Sequence, residues 1–214
     1  MKKLKLKPNP YLGKLIVFEG TDGAGKTTNL QRCIDILSLI VGGENVISLK
    51  QPTDMSRKTK LFQKMMYCKN HEEIDYRAVQ LLTMSDRIQH SFEIIEPALQ
   101  SGKYVVCDRY VYTSLANMLA RNYKNEKWFF NVAKHLLKPD LVFLAYAQPE
   151  LAIERIKSRP EEVDRYLDEE LLKRVSKEFL NMAKQEKFIV LDTSKSKREV
   201  FEEIKSTLEG VVEK

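Results

Sequence analysis

The segment GTDGAGKTT, residues 20–28, brings together glycines, a lysine and two adjacent threonines. Its Gly20, Gly25, Lys26 and Thr27 fit the spacing G-x-x-x-x-G-K-[ST], in which glycines let backbone N–H groups close around phosphate oxygens. In that motif the lysine reaches the β- and γ-phosphates of a nucleotide, and the hydroxyl coordinates Mg²⁺. An apolar run precedes the segment and a helical pattern comes after it. We therefore expect a phosphate-binding loop.

Asp108 and Arg109 form a second candidate cluster, because they directly follow the apolar run YVVC. A carboxylate at the carboxyl end of a parallel strand can reach a metal-bound water beside a phosphate loop. Arg109 would then point into the same crevice. The alternative is a strand-end Asp-Arg pair in a surface turn.

A third cluster is cationic. The segment ERIKSRPEEVDRYLD places Arg155, Lys157, Arg159 and Arg165 within eleven residues. Pro160 and the interspersed acidic residues argue against an uninterrupted helix. Such a loop could close over a transferred phosphate. A charge run of this kind is more often a solvated surface, so that alternative stays open.

The elements that must position these residues are short apolar runs at residues 15–19, 46–49, 104–107, 141–145 and 188–191, each followed by a longer helical pattern. This alternation predicts an α/β fold, a doubly wound five-stranded parallel sheet with helices on both faces. The length of 214 residues suits one domain. We expect a single domain over residues 1–214, with a basic N-terminal extension at 1–13 and a short arginine-rich lid at about 155–166.

A helix is predicted over about residues 76–96, ending before Pro97. Its apolar stripe consists of Leu81, Met84, Ile88, Phe92 and Ile95. A second face, the candidate wall of a site, consists of Gln80, Thr83, Arg87 and His90.

Composition narrows the class of protein. The net charge is +6, but Lys and Arg are spread along the chain without a nucleic-acid-binding module, so we expect nucleotides rather than nucleic acid as partners. The longest apolar run, LVFLAYA, is far shorter than the roughly 20 residues that cross a bilayer, and the N-terminus lacks the apolar region of a signal peptide. No membrane association and a cytoplasmic location are expected. Three widely spaced cysteines indicate neither disulfides nor a zinc site.

Several segments together resemble the thymidylate kinase family. They are, in order, FEGTDGAGKTTNLQ, SDRIQH, EPALQSGKYVVCDRYVYTSLA, KPDLVFL and PELAIERIKSRPEEVDRYLD. The resemblance covers roughly residues 14–192. The phosphate loop alone would fit many ATPases, whereas FEG-x-DGAGKTT combined with DRY is specific to this family. The fold implied is that of P-loop NTPases.

The resemblance implies a reaction in which the γ-phosphoryl of ATP, bound with Mg²⁺, passes directly to the phosphate of a nucleoside monophosphate, nearest to dTMP. Such a transfer depends on positioning and charge neutralisation more than on a strong base. The resemblance also implies a homodimer. Arginine is absent from the loop at residues 21–24, so the lid must supply the catalytic arginine, with Arg159 as the first choice and Arg155 as the second.

The resemblance also implies site residues. The catalytic set is Lys26, Asp108, Arg109, Arg155 and Arg159. The ATP-binding set is Gly20, Asp22, Gly23, Ala24, Gly25, Lys26, Thr27 and Thr28. The acceptor-binding set is Asp22, Lys50, Gln51, Gln80, Thr83, Arg87, Arg109, Tyr112 and Met118. The Mg²⁺-binding set is Thr27 and Asp108.

The base pocket departs from the family pattern. Thr83 stands where an aromatic residue usually stacks on the acceptor base, and Asn117-Met118 replaces a Tyr-Gln-type pair. The usual Glu-Pro-Gly is Gln51-Pro52-Thr53, preceded by Lys50. Stacking could instead come from Tyr110, Tyr112 or Met118. One alternative is therefore a kinase of another nucleoside monophosphate or of a nucleoside. A second alternative, from a different functional class, is a nucleotide-binding regulatory switch.

Overall fold

The computed structural model describes residues 3–68, 73–159 and 167–212. Its strands are β1 (Lys14–Glu19), β2 (Val46–Lys50), β3 (Tyr104–Asp108), β4 (Leu141–Tyr146) and β5 (Ile189–Asp192). They form one parallel sheet in the order β2-β3-β1-β4-β5. The predicted α/β fold and its five-stranded parallel sheet are confirmed.

Helices connect the strands. They are α1 (Lys26–Val41), α2 (Asp54–Arg57), α3 (Lys60–Tyr67), α4 (Tyr76–His90), α5 (Glu96–Gln100), α6 (Val111–Ala120), α7 (Lys127–Ala133), α8 (Pro149–Lys157), α9 (Glu169–Glu186) and α10 (Lys197–Val212). Among the described residues, none of these helices combines the length and the apolar character that crossing a membrane requires.

Alternate residues of the central strand β1 face opposite sides of the sheet, so they enter two separate cores. Leu15 and Val17 pack in the core that contains α4, α6 and α9. Ile16 and Phe18 pack in the core that contains α1 and α10. Helices on both faces bury every residue of β1 after Lys14. The central strands are thereby rigid supports for the loops at their carboxyl ends.

The helical segment that begins at Tyr76 differs from its prediction. It does not end before Pro97: a π-helical turn at Ser91–Ile95 joins α4 to α5, and Pro97 lies in the first turn of α5, where its missing N–H costs no hydrogen bond. The residues of the predicted apolar stripe also do not form a single buried face. Met84 and Ile95 are in the core, whereas Leu81, Ile88 and Phe92 are exposed to 53%, 36% and 71%.

Candidate active site

The phosphate-binding loop lies between β1 and α1, at the carboxyl edge of the sheet. Gly23 has φ +75, and a Cβ there would lie 2.2 Å from the Ala152 carbonyl oxygen of α8, so only glycine fits. α1 begins directly after Gly25, also at positive φ, and among the described residues no side chain caps its N-terminus. Its first backbone N–H groups therefore remain for an anion.

Lys26 is buried in this loop. Its Nζ donates to the Thr21 carbonyl oxygen at 2.8 Å. Burial, reinforced by the positive charge of Arg109, lowers the pKa of Lys26 to about 8. Phosphate oxygens beside this ammonium group would favour its charged form, so the site is built for an anionic ligand.

Arg109 follows β3 and reaches across to the phosphate loop. Its backbone has φ +68, a conformation that few residues other than glycine adopt. Its backbone N–H donates to the Phe18 carbonyl at 2.9 Å, and its Nη1 donates to the Gly20 carbonyl at 3.1 Å. Its Nη2 pairs with the Asp22 carboxylate. These bonds fix the guanidinium at the mouth of the phosphate loop, as the strand-end prediction requires.

Glu19, the last residue of β1, organises the turn that presents Arg109. It is fully buried, and its carboxylate accepts from the Tyr110 N–H at 2.9 Å and the Thr113 N–H at 3.1 Å. The Thr113 hydroxyl also donates to it. Burial raises the pKa of Glu19 to about 7, although the hydrogen bond from Thr113 and the charge of Arg109 oppose that rise.

Three residues of the predicted wall of α4 form another side of the site. Gln80, Thr83 and Arg87 are nearly fully buried and line the cavity. Arg87 donates to the Thr83 carbonyl at 3.1 Å and to the Tyr110 carbonyl at 3.2 Å, but its Nε has no partner among the described residues. A buried donor left unpaired costs free energy unless a ligand supplies the acceptor. His90 instead hydrogen-bonds Gln51.

One cavity of about 490 Å³ joins these groups. The described cationic side chains that line it are Lys26, Lys50, Arg57, Arg87, Arg109, Arg121 and Arg159. The described carboxylates that line it are Asp22, Asp108 and Asp168. This excess of positive charge suits a polyanion. Thr27 and Thr28 of the phosphate loop and apolar residues of α3, α4 and α9 also line it.

The two candidate lid arginines have different surroundings. Arg159 lines the cavity. Arg155 donates from Nη1 to the Thr193 hydroxyl and from Nη2 to the Thr193 carbonyl, both at 3.0 Å, and it approaches the Gly23 carbonyl at 3.4 Å. The rest of the predicted lid, residues 160–166, lies outside the described residues.

Comparison with known proteins identifies the family of the chain. The family model for thymidylate kinase matches residues 18–204. The chain belongs to the thymidylate kinase family. It is 33% identical over 197 residues to the probable thymidylate kinase of Methanocaldococcus jannaschii, covering 92% of this chain and 96% of that protein. It is 32% identical over 198 residues to the thymidylate kinase of Brachyspira hyodysenteriae, covering 92% and 93%.

A solved structure shares the fold. The thymidylate kinase of Ehrlichia chaffeensis superimposes with a TM-score of 0.68 at 22% identity, covering 92% of this chain and 98% of that one. The chain is thus a member of a family of nucleoside monophosphate kinases, and its sheet and helices have the arrangement of that fold.

Three residues expected to bind the acceptor lie outside the cavity. Met118 is 1% exposed in the core. Tyr112 is 3% exposed, packs edge-on against Phe188 and borders a different, smaller cavity. Gln51 is fully buried, and its side chain bonds His90. Because α6 is buried on most sides, its sequence alone does not show which residues face the site. The structure does not place these three side chains in the cavity.

The structure adds cavity residues that were not predicted. Arg57 of α2 donates to the Pro52 carbonyl at 2.6 Å and lies 5.7 Å from the centre of the Phe62 ring. The Asp86 carboxylate accepts from the backbone N–H groups of Thr53 and Ser56, so it holds the start of α2. Tyr76 and Arg121 also line the cavity. The available sequence clue was a polar stripe at helical spacing, formed by Ser114 and Asn117 of α6 and by Arg121 directly after that helix.

Proposed function

We propose that this protein transfers the γ-phosphoryl group of ATP to dTMP, giving dTDP and ADP. The observation that carries the proposal is one cavity that joins a phosphate loop to a buried arginine on α4 and a partly buried arginine after β3. Direct transfer between two nucleotides requires both to meet in one water-poor, cationic space. The names of the relatives favour dTMP as the acceptor.

On the donor side, backbone N–H groups of the loop and the start of α1 bind the ATP phosphates, and Lys26 offsets the charge on the moving phosphoryl group. Thr27 and Asp108 fit Mg²⁺, because both line the cavity beside the loop and the buried Oδ1 of Asp108 has no hydrogen-bond partner among the described residues. When bound, Mg²⁺ would neutralise charge on the β- and γ-phosphates.

On the acceptor side, Arg109 and Arg87 clamp the acceptor phosphate, since guanidinium groups bind phosphate with paired N–H donors. Arg57 supplies a third guanidinium, which lines the same cavity. Asp22, paired with Arg109, is placed to bind the sugar 3′-hydroxyl of the acceptor. Arg159 approaches the transferred phosphoryl group from the cavity wall.

The protein is proposed to act as a homodimer through one face of α4 and the turn after it. Leu81, Ile88 and Phe92 lie at helical spacing on that face and are exposed. A second copy of the same face, related by a two-fold axis, would bury all three side chains. The opposite face of α4 carries Thr83 and Arg87, so dimerisation would also support the acceptor wall.

The decisive assay measures ADP release with ATP and Mg²⁺ in the presence of dTMP, dUMP, dCMP, dGMP, dAMP or thymidine. We expect ADP release to depend on the acceptor, with dTMP the best. Lys26→Ala should reduce turnover by about 10²-fold or more, because the developing charge loses its preorganised counter-charge. If a purine monophosphate is phosphorylated about tenfold more efficiently than dTMP, the choice of dTMP is wrong, but the assignment as a kinase is unaffected. Slow ADP release independent of any acceptor would indicate a regulatory switch.

A further inference from the structure

A second cavity lies at the edge of the sheet opposite to the phosphate loop. Its volume is about 340 Å³, within the range of cavities that hold small organic ligands. Its lining includes residues 138–140 and 186–188, which directly precede β4 and β5, so it lies at the amino ends of these strands. Among the described residues, those that line this second cavity are all different from those that line the candidate active site.

The wall of the second cavity is held by hydrogen bonds that occupy several of its polar groups. The Asp140 carboxylate accepts from the Asn9 side chain and from the Leu15 backbone N–H, both at 2.8 Å. The Lys138 backbone N–H donates to the Lys7 carbonyl oxygen at 2.6 Å, which holds the N-terminal segment against the residues before β4. The wall is therefore fixed, and both Asn9 and Asp140 already have partners.

Two other polar side chains of the lining, Tyr112 and Glu186, are nearly fully buried. Tyr112 is 3% exposed, and its hydroxyl makes no hydrogen bond with the described residues. The Glu186 side chain is 9% exposed, and its carboxylate forms an ion pair at 3.5 Å with Lys3, whose side chain is 58% exposed. No group in the described part of the chain donates a hydrogen bond to this carboxylate. The oxygen atoms of both side chains are thus available to a ligand in the cavity.

The chemistry of these two groups defines what they can bind. A carboxylate accepts two parallel N–H groups, and it cannot donate. Burial, and to a lesser extent the negative charge of Glu186, raise the pKa of Tyr112, so its hydroxyl keeps its proton and can donate. A ligand that presents two adjacent N–H groups beside a carbonyl oxygen satisfies both side chains. Among nucleobases, guanine has this edge, formed by N2–H, N1–H and O6.

The rest of the lining suits the other parts of a nucleotide. Pro8, Val142 and Phe188 supply apolar surface against which a flat base can pack. Lys138 and Lys187 are exposed at the cavity, and neither forms an ion pair with a carboxylate of the described residues. Two unpaired ammonium groups beside an otherwise polar and apolar cavity favour a phosphate group.

We propose that the second cavity is a binding site for a guanine nucleotide. Glu186 accepts from N1–H and N2–H of the base, and the Tyr112 hydroxyl donates to O6. Lys138 and Lys187 contact the phosphate. Adenine has an acceptor, N1, next to its amino group, so its edge would place one acceptor against another at the carboxylate. This inference goes beyond the proposed function and does not depend on it.

Calorimetric titration of GMP, IMP and AMP into the full chain tests this site. Mg²⁺, ADP and dTMP are present at saturating concentrations, because together they occupy the candidate active site. We expect one GMP to bind per chain. AMP should bind about tenfold more weakly or worse, since it lacks the paired N–H groups. IMP keeps N1–H and O6 but has no amino group, so its affinity should lie between the two.

Glu186→Gln and Tyr112→Phe test the contacts with the base. Glu186→Gln replaces a carboxylate oxygen with an amino group, so it should weaken GMP binding by about tenfold or more and reduce the preference for GMP over AMP. Tyr112→Phe loses one hydrogen bond and should have a smaller effect. Glu170→Gln is the matched control, because Glu170 is an exposed carboxylate on the same helix, pairs with Lys173 and lies outside the lining. It should bind GMP like the wild type, and thermal melting checks the fold of each variant.

The double variant Lys138→Ala, Lys187→Ala tests the contact with the phosphate. It should weaken GMP binding by about threefold or more, because two exposed charge contacts are lost. Guanosine has no phosphate, so its affinity should be the same for the double variant and the wild type. Equal weakening of GMP and guanosine would show that the lysines do not contact the phosphate.

Three results would overturn the site. They are no binding of GMP to the wild type beside ADP and dTMP, equal affinities for GMP and AMP, and unchanged GMP binding in Glu186→Gln. The comparison of GMP with AMP needs no variant, so it decides even if Glu186→Gln does not fold. A chain that binds GMP in a Glu186-dependent way but does not phosphorylate dTMP would refute the proposed function alone.

Discussion

Arg155 and Arg159 are four residues apart, yet their side chains have different surroundings. Arg159 lines the cavity, whereas Arg155 connects the phosphate loop to the residue directly after β5. We expect Arg159→Ala to lower kcat by about 10³-fold with little change in the affinity for ATP, because a transition-state contact has that effect. Arg155→Ala should chiefly weaken ATP binding, since Gly23 of the loop loses its contact with a guanidinium that Thr193 holds in place.

Single-turnover kinetics and ATP binding, measured separately, distinguish these two effects. Lys157→Ala is a suitable control because Lys157 lies between the two arginines, is exposed and pairs with Glu169. If kcat changes less than about twofold in both arginine variants, the catalytic arginine is not in this segment. If Arg155→Ala lowers kcat and Arg159→Ala weakens ATP binding, the two roles are reversed.

Single residues were predictable from sequence where a motif fixes both residue type and position. The spacing of Lys26 and Thr27 is set by how a loop must enclose phosphate, so it identified the loop that the structure shows between β1 and α1. The position of Met118 in the core was not predictable, because eight of the ten residues of α6 are buried and periodicity gave no preferred side. Arg57 belongs to a short helix whose position depends on Asp86, thirty residues after Ser56 in the chain.

At the scale of elements, Glu19 couples β1 to the start of α6. Its pKa is raised from 4.5 to about 7 in the folded protein, so between those pH values the folded state binds more protons than the unfolded state. The free energy of unfolding therefore falls as pH rises through this window, by up to about 3 kcal/mol from this group. Glu19→Gln cannot titrate, so we expect it to lose this part of the pH dependence.

Denaturant unfolding at several pH values between about 4.5 and 7.5 measures that difference. The stability of Glu19→Gln relative to wild type should improve as pH rises, while the exposed Glu202→Gln on α10 should follow the wild type. Because a Gln side chain accepts through one oxygen only, the Arg109 turn should loosen and KM for the acceptor should rise. Parallel pH curves for wild type and Glu19→Gln would show that Glu19 is ionised throughout.

Strands were easier to predict than the helical segment after Tyr76. The five apolar runs are short and bounded by turns, and each matched a strand to within a residue or two at either end. The predicted stop before Pro97 was wrong because the π-helical turn at Ser91–Ile95 starts a new helix, and proline is tolerated in a first turn. A change from α-helical to π-helical hydrogen bonds leaves no distinct spacing of apolar residues by which the sequence could reveal it.

At the scale of the whole molecule, the period of apolar residues cannot tell a core from an interface between subunits. Leu81, Ile88 and Phe92 share the helical period of Met84 and Ile95, but only the latter two meet the core of their own chain. Exposed apolar side chains grouped on one helix face are typical of protein–protein contact. This feature of the described surface supports the homodimer proposal.

Replacing part of that face with charge should dissociate the dimer. We expect the double variant Leu81→Glu, Phe92→Glu to sediment as a monomer where the wild type sediments as a dimer, because each interface would bring four carboxylates of like sign into an apolar contact. Leu39→Glu on α1 is the matched control, since Leu39 is 88% exposed on a different helix and its replacement should leave the dimer intact. Since α4 also carries Thr83 and Arg87, the monomer should show a larger rise in KM for the acceptor than for ATP, each relative to wild type. A monomeric wild type at micromolar concentration, or equal dissociation by Leu39→Glu, would place any subunit contact elsewhere.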